Sequence, residues 1–133
     1  MIRGAGRIML TAITRAISRS IVNCELTHLQ RIPIDLERAC LQHHTYEETL
    51  RSLGVEVQSL PEEPDLPDSV FVEDIAIVLD ECALLTRSGA NSRRPETESI
   101  ARALAPYRSL LTIQEPGTLD GGDVLTVGKI NYV

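Results

Sequence analysis

Apolar and polar positions alternate between two periods along this chain. Met9 to Ile17 is rich in apolar and β-compatible residues and predicts a strand, and the polar stretch Ser18 to Arg31 predicts a loop. From Asp35 to Leu53 the residues Leu36, Ala39, Cys40, His43, Tyr46, Leu50 and Leu53 recur at spacings of three and four, with Pro33 before them and Gly54 after. That spacing predicts an amphipathic helix with its stripe toward a core. Val55 to Leu60 predicts a short strand, and Pro61 to Asp68 a Pro-rich acidic loop. A second round follows. Val70 to Leu79 is strongly apolar, Asp80 and Glu81 turn the chain, and Ala83 to Thr86 returns as a strand, together a hairpin. Ser88 to Arg94 is loop, Pro95 opens a helix with Glu96 and Glu98 in its first turn, Ile100, Ala101 and Leu104 face inward, and Pro106 ends it. Strands at Leu110 to Ile113, Val124 to Val127 and Ile130 to Val133 complete the pattern, separated by turns at Gly117 to Asp123 and at Gly128-Lys129.

The two rounds echo each other. Ala12-Ile13-Thr14-Arg15 followed by Ser18-Arg19 matches Leu84-Leu85-Thr86-Arg87 followed by Ser92-Arg93, and each round then runs helix, strand, Pro-containing loop and an acid-then-apolar strand. A unit of strands and one helix is too small to bury itself and closes with further copies. Two copies and the start of a third predict an unfinished ring whose last strand leaves a bare edge, with self-association through that edge as the expected consequence.

Composition narrows the field. The chain has 133 residues, 43% hydrophobic but only 3% aromatic, so its core rests on Ile, Leu, Val and Ala, and base-stacking platforms are improbable. A net charge of -6 argues against nucleic acid as a partner and suits a site for cations. Ser52 to Thr86 holds nine carboxylates and no Lys or Arg. No apolar run predicts a membrane span, and residues 1–8 read as a short leader before a domain over 9–133. Cys24, Cys40 and Cys82 lack disulfide or zinc spacing, which predicts reduced thiols in a cytoplasmic protein and no metal or cofactor.

Three segments carry candidate chemistry. In Leu66-Pro67-Asp68-Ser69-Val70-Phe71-Val72-Glu73-Asp74-Ile75, two adjacent carboxylates interrupt an apolar strand, so one is expected to point inward. A buried carboxylate needs a partner, and a guanidinium fork supplies one. The plainer reading, Glu73 and Asp74 as solvated turn residues, is favoured by composition alone. In Gly117-Thr118-Leu119-Asp120-Gly121-Gly122-Asp123-Val124, paired glycines allow a sharp turn or close backbone approach between Asp120 and Asp123. Walker spacing is absent and the acids repel phosphate, calcium-loop spacing is absent too, and a plain hairpin turn competes. In Thr86-Arg87-Ser88-Gly89-Ala90-Asn91-Ser92-Arg93-Arg94, loop arginines before a helix suit a carboxylate, or are simply solvated. His43 reads as helix lining, His44 as exposed and His28 as loop; Cys24 is a candidate reactive thiol, and Cys40 and Cys82 read as core filler.

Together, LPDSVFVED at 66–74, TRSGANSRR at 86–94 and GTLDGGDV at 117–124 resemble the dimethylarginine dimethylaminohydrolase family, within the guanidino-group-modifying superfamily that includes arginine deiminase and the amidinotransferases. The resemblance spans about 9–133 and the N-terminal half or so of a family member. It implies an α/β fold, part of a five-bladed propeller (pentein) of ββαβ modules, about two modules plus the start of a third. It implies hydrolysis of methylated arginine to citrulline and a methylamine through a cysteine thiouronium. Asp74 then matches the guanidinium clamp, with Glu73 and Asp68 as substrate contacts and Phe71 as a pocket wall. Asp120 matches the acid that pairs with the catalytic histidine and the substrate, Arg93 the α-carboxylate binder, and Leu26 the lid residue. The family's catalytic histidine, second arginine and nucleophilic cysteine match nothing in this chain, so the isolated polypeptide is expected to be inactive. Arginine deiminase or another amidino-group enzyme, and a non-catalytic module binding arginine-like cations, are the alternatives.

Overall fold

The structure, a computed structural model, describes residues 9–26 and 29–133. The leader expected at 1–8 and the loop position of His28 lie outside the described residues.

Strand β1 (Thr11–Arg15) leads through a loop with a 3-10 turn at Ile21–Asn23 into helix α1 (Leu36–Ser52) and then strand β2 (Glu56–Leu60). β1 and β2 pair in parallel, Thr11 against Glu56 through Arg15 against Leu60, so α1 is the crossover that parallel strands require. Asp35 caps α1 by accepting the Arg38 amide at 3.0 Å, and Gly54, at φ 84, takes the left-handed turn that stops it. The second unit is complete. β3 (Ala76–Val78) pairs antiparallel with β4 (Cys82–Leu85), α2 (Glu96–Leu104) crosses over, and β5 (Ser109–Thr112) returns parallel to β4. β6 (Leu125–Val127) and β7 (Ile130–Tyr132) form a further antiparallel hairpin through Gly128, at φ 62. The described chain is thus a βαβ unit, one full ββαβ unit and an opening ββ pair; the first unit lacks an antiparallel strand beside β1 among the described residues.

The core is small and aliphatic. Ile75, Ala83, Leu85, Ile100 and Leu104 are buried together, with Ile13 and Leu60 packed against them from the first unit and Val72 from the turn before β3. Each fully buried Ile or Leu contributes about 2 kcal/mol, and here those contacts join the two units. Helix α1 departs from its expected face. Cys40, Tyr46 and Leu53 are exposed, and the inward stripe is Leu36, Ala39, His43, Glu47 and Leu50, of which only Glu47 is buried. α1 is held less by oil than by that carboxylate. Glu47 accepts the Thr14 hydroxyl of β1 at 2.6 Å and pairs with Arg51 at 3.2 Å and His43 at 3.3 Å.

The strand expected over Val70–Leu79 is shortened to Ala76–Val78. Upstream of it the backbone bonds to itself in short turns, Ser69 to Leu66, Phe71 to Asp68, Asp74 to Phe71 and Ile75 to Val72, and Val72–Asp74 is a 3-10 turn. Carbonyls of Asp68 and Phe71 are claimed by Arg93 and that of Asp74 by the Thr86 hydroxyl, so they cannot enter a ladder.

Candidate active site

The loops leaving β1, β2, β4 and β5 all emerge at the C-terminal ends of the parallel pairs, and the turn preceding β3 lies at the same end. Asp74 stands at the meeting point of two of them. Its Oδ2 receives Arg93 Nη1 at 2.6 Å and its Oδ1 the Gly122 amide at 3.1 Å. Gly121 lies flat on the turn before β3, and a β-carbon there would overlap the Glu73 carbonyl. The paired glycines are therefore a close backbone approach rather than a free hairpin turn.

Arg93 is buried. Its Nε and Nη2 fork onto both oxygens of Glu96 at 3.2 and 3.0 Å, and Nη2 also reaches the Asp68 and Phe71 carbonyls at 3.2 Å each. Burial works against the Arg93 charge, but hydrogen bonds and charge from Glu96 and Asp74 outweigh it and its pKa is raised. Burial likewise pushes the Glu96 carboxyl upward, a shift the Arg93 bonds oppose without cancelling. Where the resemblance assigns Arg93 to a substrate carboxylate, the guanidinium retains one uncommitted N–H, on Nη1.

The other expected site residues divide. Asp68 is buried, and its Oδ2 accepts the Glu25 amide at 3.1 Å, next to the half-exposed Leu26. Asp120 lies two residues before Gly122 in the same loop; its Oδ2 accepts the Gly89 amide at 3.3 Å, while its Oδ1 is shielded from solvent with no donor among the described residues. Phe71 is exposed at the rim. Glu73 is exposed and lines a separate groove of about 740 Å³ between β1 and β3, with Leu10, Ile13, Val78 and Leu104. Of the adjacent pair Glu73-Asp74, only Asp74 thus points inward, set by a 3-10 turn and not by strand alternation.

Four contributors escaped the sequence reading. Glu25 bridges the polar loop to Ser92, whose hydroxyl donates to its carboxylate at 2.6 Å. Glu96, expected to serve the helix dipole, is the buried partner of Arg93; the spacing of three across Pro95 was its signal. Gly89 presents its amide, and Thr86 bonds the Asp74 carbonyl. Cys24 is buried in the loop, and Cys40 is exposed on α1 rather than filling a core. Among the described residues no three His, Cys, Asp or Glu side chains converge as metal ligands, and no helix is long and apolar enough to cross a membrane.

Strand-helix repeats of this α/β chain thus gather Asp68, Asp74 and Asp120 at one end, beside an arginine-bearing loop and a glycine-rich loop. Comparison with known proteins narrows this. Residues 12–115 match the family model described as N,N dimethylarginine dimethylhydrolase, eukaryotic. The N(G),N(G)-dimethylarginine dimethylaminohydrolase of Streptomyces coelicolor is 42% identical over 123 residues, covering 92% of this chain and 48% of that protein. A solved dimethylarginine dimethylaminohydrolase, a His-to-Gly variant as its adduct with S-methyl-L-thiocitrulline, superposes with a TM-score of 0.89 at 36% identity, covering 95% of this chain and 50% of that one. The Pseudomonas aeruginosa enzyme, a Cys-to-Ser variant complexed with citrulline, gives 0.89 at 36% identity over 94% and 49%. The chain belongs to the dimethylarginine dimethylaminohydrolase family. It spans about half the length of the relatives it matches.

Proposed function

We propose that these residues form the substrate-holding part of an enzyme that hydrolyses N-methylated arginine to citrulline and a methylamine, with the catalytic cysteine and histidine supplied outside this chain. The observation that carries the reading is Asp120 Oδ1, a shielded carboxylate oxygen without a donor among the described residues, in the same loop whose Gly122 amide touches Asp74. A shielded acceptor of that charge is satisfied by an N–H cation or an imidazolium.

In this reading a cysteine thiolate adds to the guanidinium carbon, and the methylamine leaves with a proton from the histidine. Water then cleaves the C–S bond of the thiouronium, returning the thiolate and releasing citrulline. Asp74, braced by Arg93 and Gly122, holds the guanidinium, and Asp120 pairs with the histidine and the substrate. Charge on the carbon's substituents shifts as it becomes tetrahedral, and fixed carboxylates follow it without reorganising. Asp68 and Phe71 are the further substrate contacts, Leu26 closes the loop over them, and Arg93 gives its remaining N–H to the α-carboxylate; Glu73, turned into the separate groove, has no part in this reading. The free thiols of Cys24, Cys40 and Cys82 support a cytoplasmic setting.

The test joins residues 1–133 to the C-terminal half of the Streptomyces relative and assays citrulline release. Turnover of N,N-dimethylarginine, lost in Asp120→Asn, is expected. Turnover of unmethylated arginine alone would assign the chain to deiminase chemistry, and stoichiometric dimethylarginine binding without turnover in a folded chimera would leave it a binding module.

A further inference from the structure

The loops after β2 and β5 carry the same spacing, Glu63-Pro64-x-x-x-Asp68 and Glu115-Pro116-x-x-x-Asp120. Each glutamate pairs with an arginine at the end of its unit's earlier parallel strand: Arg15, which closes β1, with Glu63 at 3.1 Å, and Arg87, two residues past β4, with Glu115 at 3.5 Å. Each arginine also donates to a carbonyl of the same loop, Arg15 to Pro61 at 3.1 Å and Arg87 to Gly117 at 3.2 Å. The backbone repeats the tie, through Ala16 N–H to the Leu60 carbonyl and Leu119 N–H to the Arg87 carbonyl.

We propose that Arg15 and Arg87 are paired positioning residues, each locking the loop that carries a site aspartate onto the loop that supplies that aspartate's amide donor. The geometry closes in both units. The loop that begins at Arg15 brings the Glu25 amide to Asp68, and the loop that begins at Arg87 brings the Gly89 amide to Asp120. One planar head with several donors spans two loops that a single ammonium cannot. Arg15 is 1% exposed and reaches on to the Ser99 hydroxyl of α2 at 2.6 Å, so it also couples the first aspartate loop to the second unit. The Arg87–Glu115 pair is largely open to water on the glutamate side, which makes it a weak stability element. Its value lies in where it holds Asp120.

This role rests on the proposed reaction for its consequence but not for its geometry, and the test separates the two. Amide hydrogen exchange on the 133-residue chain reads the geometry: Arg87→Ala is expected to speed exchange at Gly89 and Leu119 by about tenfold or more while Leu84 in β4 is unchanged, and Arg87→Lys to recover part of it. The chimera with the Streptomyces half reads the consequence. Arg87→Ala lowers kcat on the order of tenfold with KM within about twofold, because Asp120 acts on the reacting centre, whereas Glu63→Gln raises KM, because Asp68 contacts substrate. Unchanged Gly89 exchange in Arg87→Ala, or a fall in activity that merely tracks the folded fraction with kcat and KM per folded molecule intact, would overturn the assignment. An inactive wild-type chimera with the expected exchange pattern defeats the proposed reaction and leaves the positioning role standing.

Discussion

Asp74 and Gly122, 48 positions apart, meet through a 3.1 Å hydrogen bond from the Gly122 amide to the Asp74 carboxylate. Each of the adjoining glycines touches a different kind of group. At Gly121 an added β-carbon meets the Glu73 backbone carbonyl, and at Gly122 it meets the end of the Asp74 side chain.

The two glycines should therefore fail differently. Gly121→Ala displaces backbone against backbone, an overpacking cost of about 2 kcal/mol or more, and is expected to lower the urea midpoint of the chain. Gly122→Ala pushes a side chain that can swing aside, so the midpoint moves little while dimethylarginine turnover in the chimera falls sharply. Equal losses of stability in both variants would contradict this division.

Arg93 holds the site's charges together. Removing its head in Arg93→Ala leaves Glu96 buried and Asp74 half-buried without their cation, and takes one of two donors from each of the Asp68 and Phe71 carbonyls. The expected cost is about 3–5 kcal/mol, measured by urea unfolding. Arg93→Lys recovers little of it, since an ammonium cannot fork onto Glu96 and reach Asp74 at once.

Much of this architecture was legible in the sequence, and what was not has a physical cause. Periodicity found α1, α2 and the parallel strands because crossovers and caps leave local marks such as Asp35 and Gly54. It misread Val70–Leu79 because apolar composition cannot distinguish a strand from a hydrophobic turn whose carbonyls are taken by a distant arginine. It misread α1's inner face because the residue buried there is Glu47, a carboxylate that amphipathicity scoring places outside. The motifs located Asp68, Asp74 and Asp120, but their partners Glu25, Gly89 and Glu96 come from loop packing and a spacing that looked like dipole compensation.

Glu47 gives the fold a pH dependence of known sign. Burial raises its pKa, but bonds from Thr14, Ser59 and Arg51 and the charge of His43 prevail, so its folded pKa is lowered. A depressed carboxylate contributes stability that is present above its unfolded pKa and lost as pH falls through the folded one. Urea midpoints are expected to drop below about pH 4.5. Glu47→Gln should flatten that acid limb and cost about 2 kcal/mol at neutral pH; an unaltered acid limb would place the titrating group elsewhere.

The β6–β7 hairpin supplies the last expectation. Leu125 pairs across from Tyr132 and Val127 from Ile130, so all four side chains share one face, while Thr126 and Asn131 bond to each other on the other. That apolar face is open: the four residues are 55–63% exposed. Strand edges beside such a face recruit another strand, and a second copy of this chain offers the same hairpin. Sedimentation of residues 1–133 is expected to show concentration-dependent association, and Val127→Lys, which puts a charge at the centre of the patch, to shift the chain toward monomer. Joining the Streptomyces C-terminal half should have the same effect if the added chain packs over the hairpin's open face. A wild-type chain that stays monomeric at high concentration would show that this face is not the adhesive one.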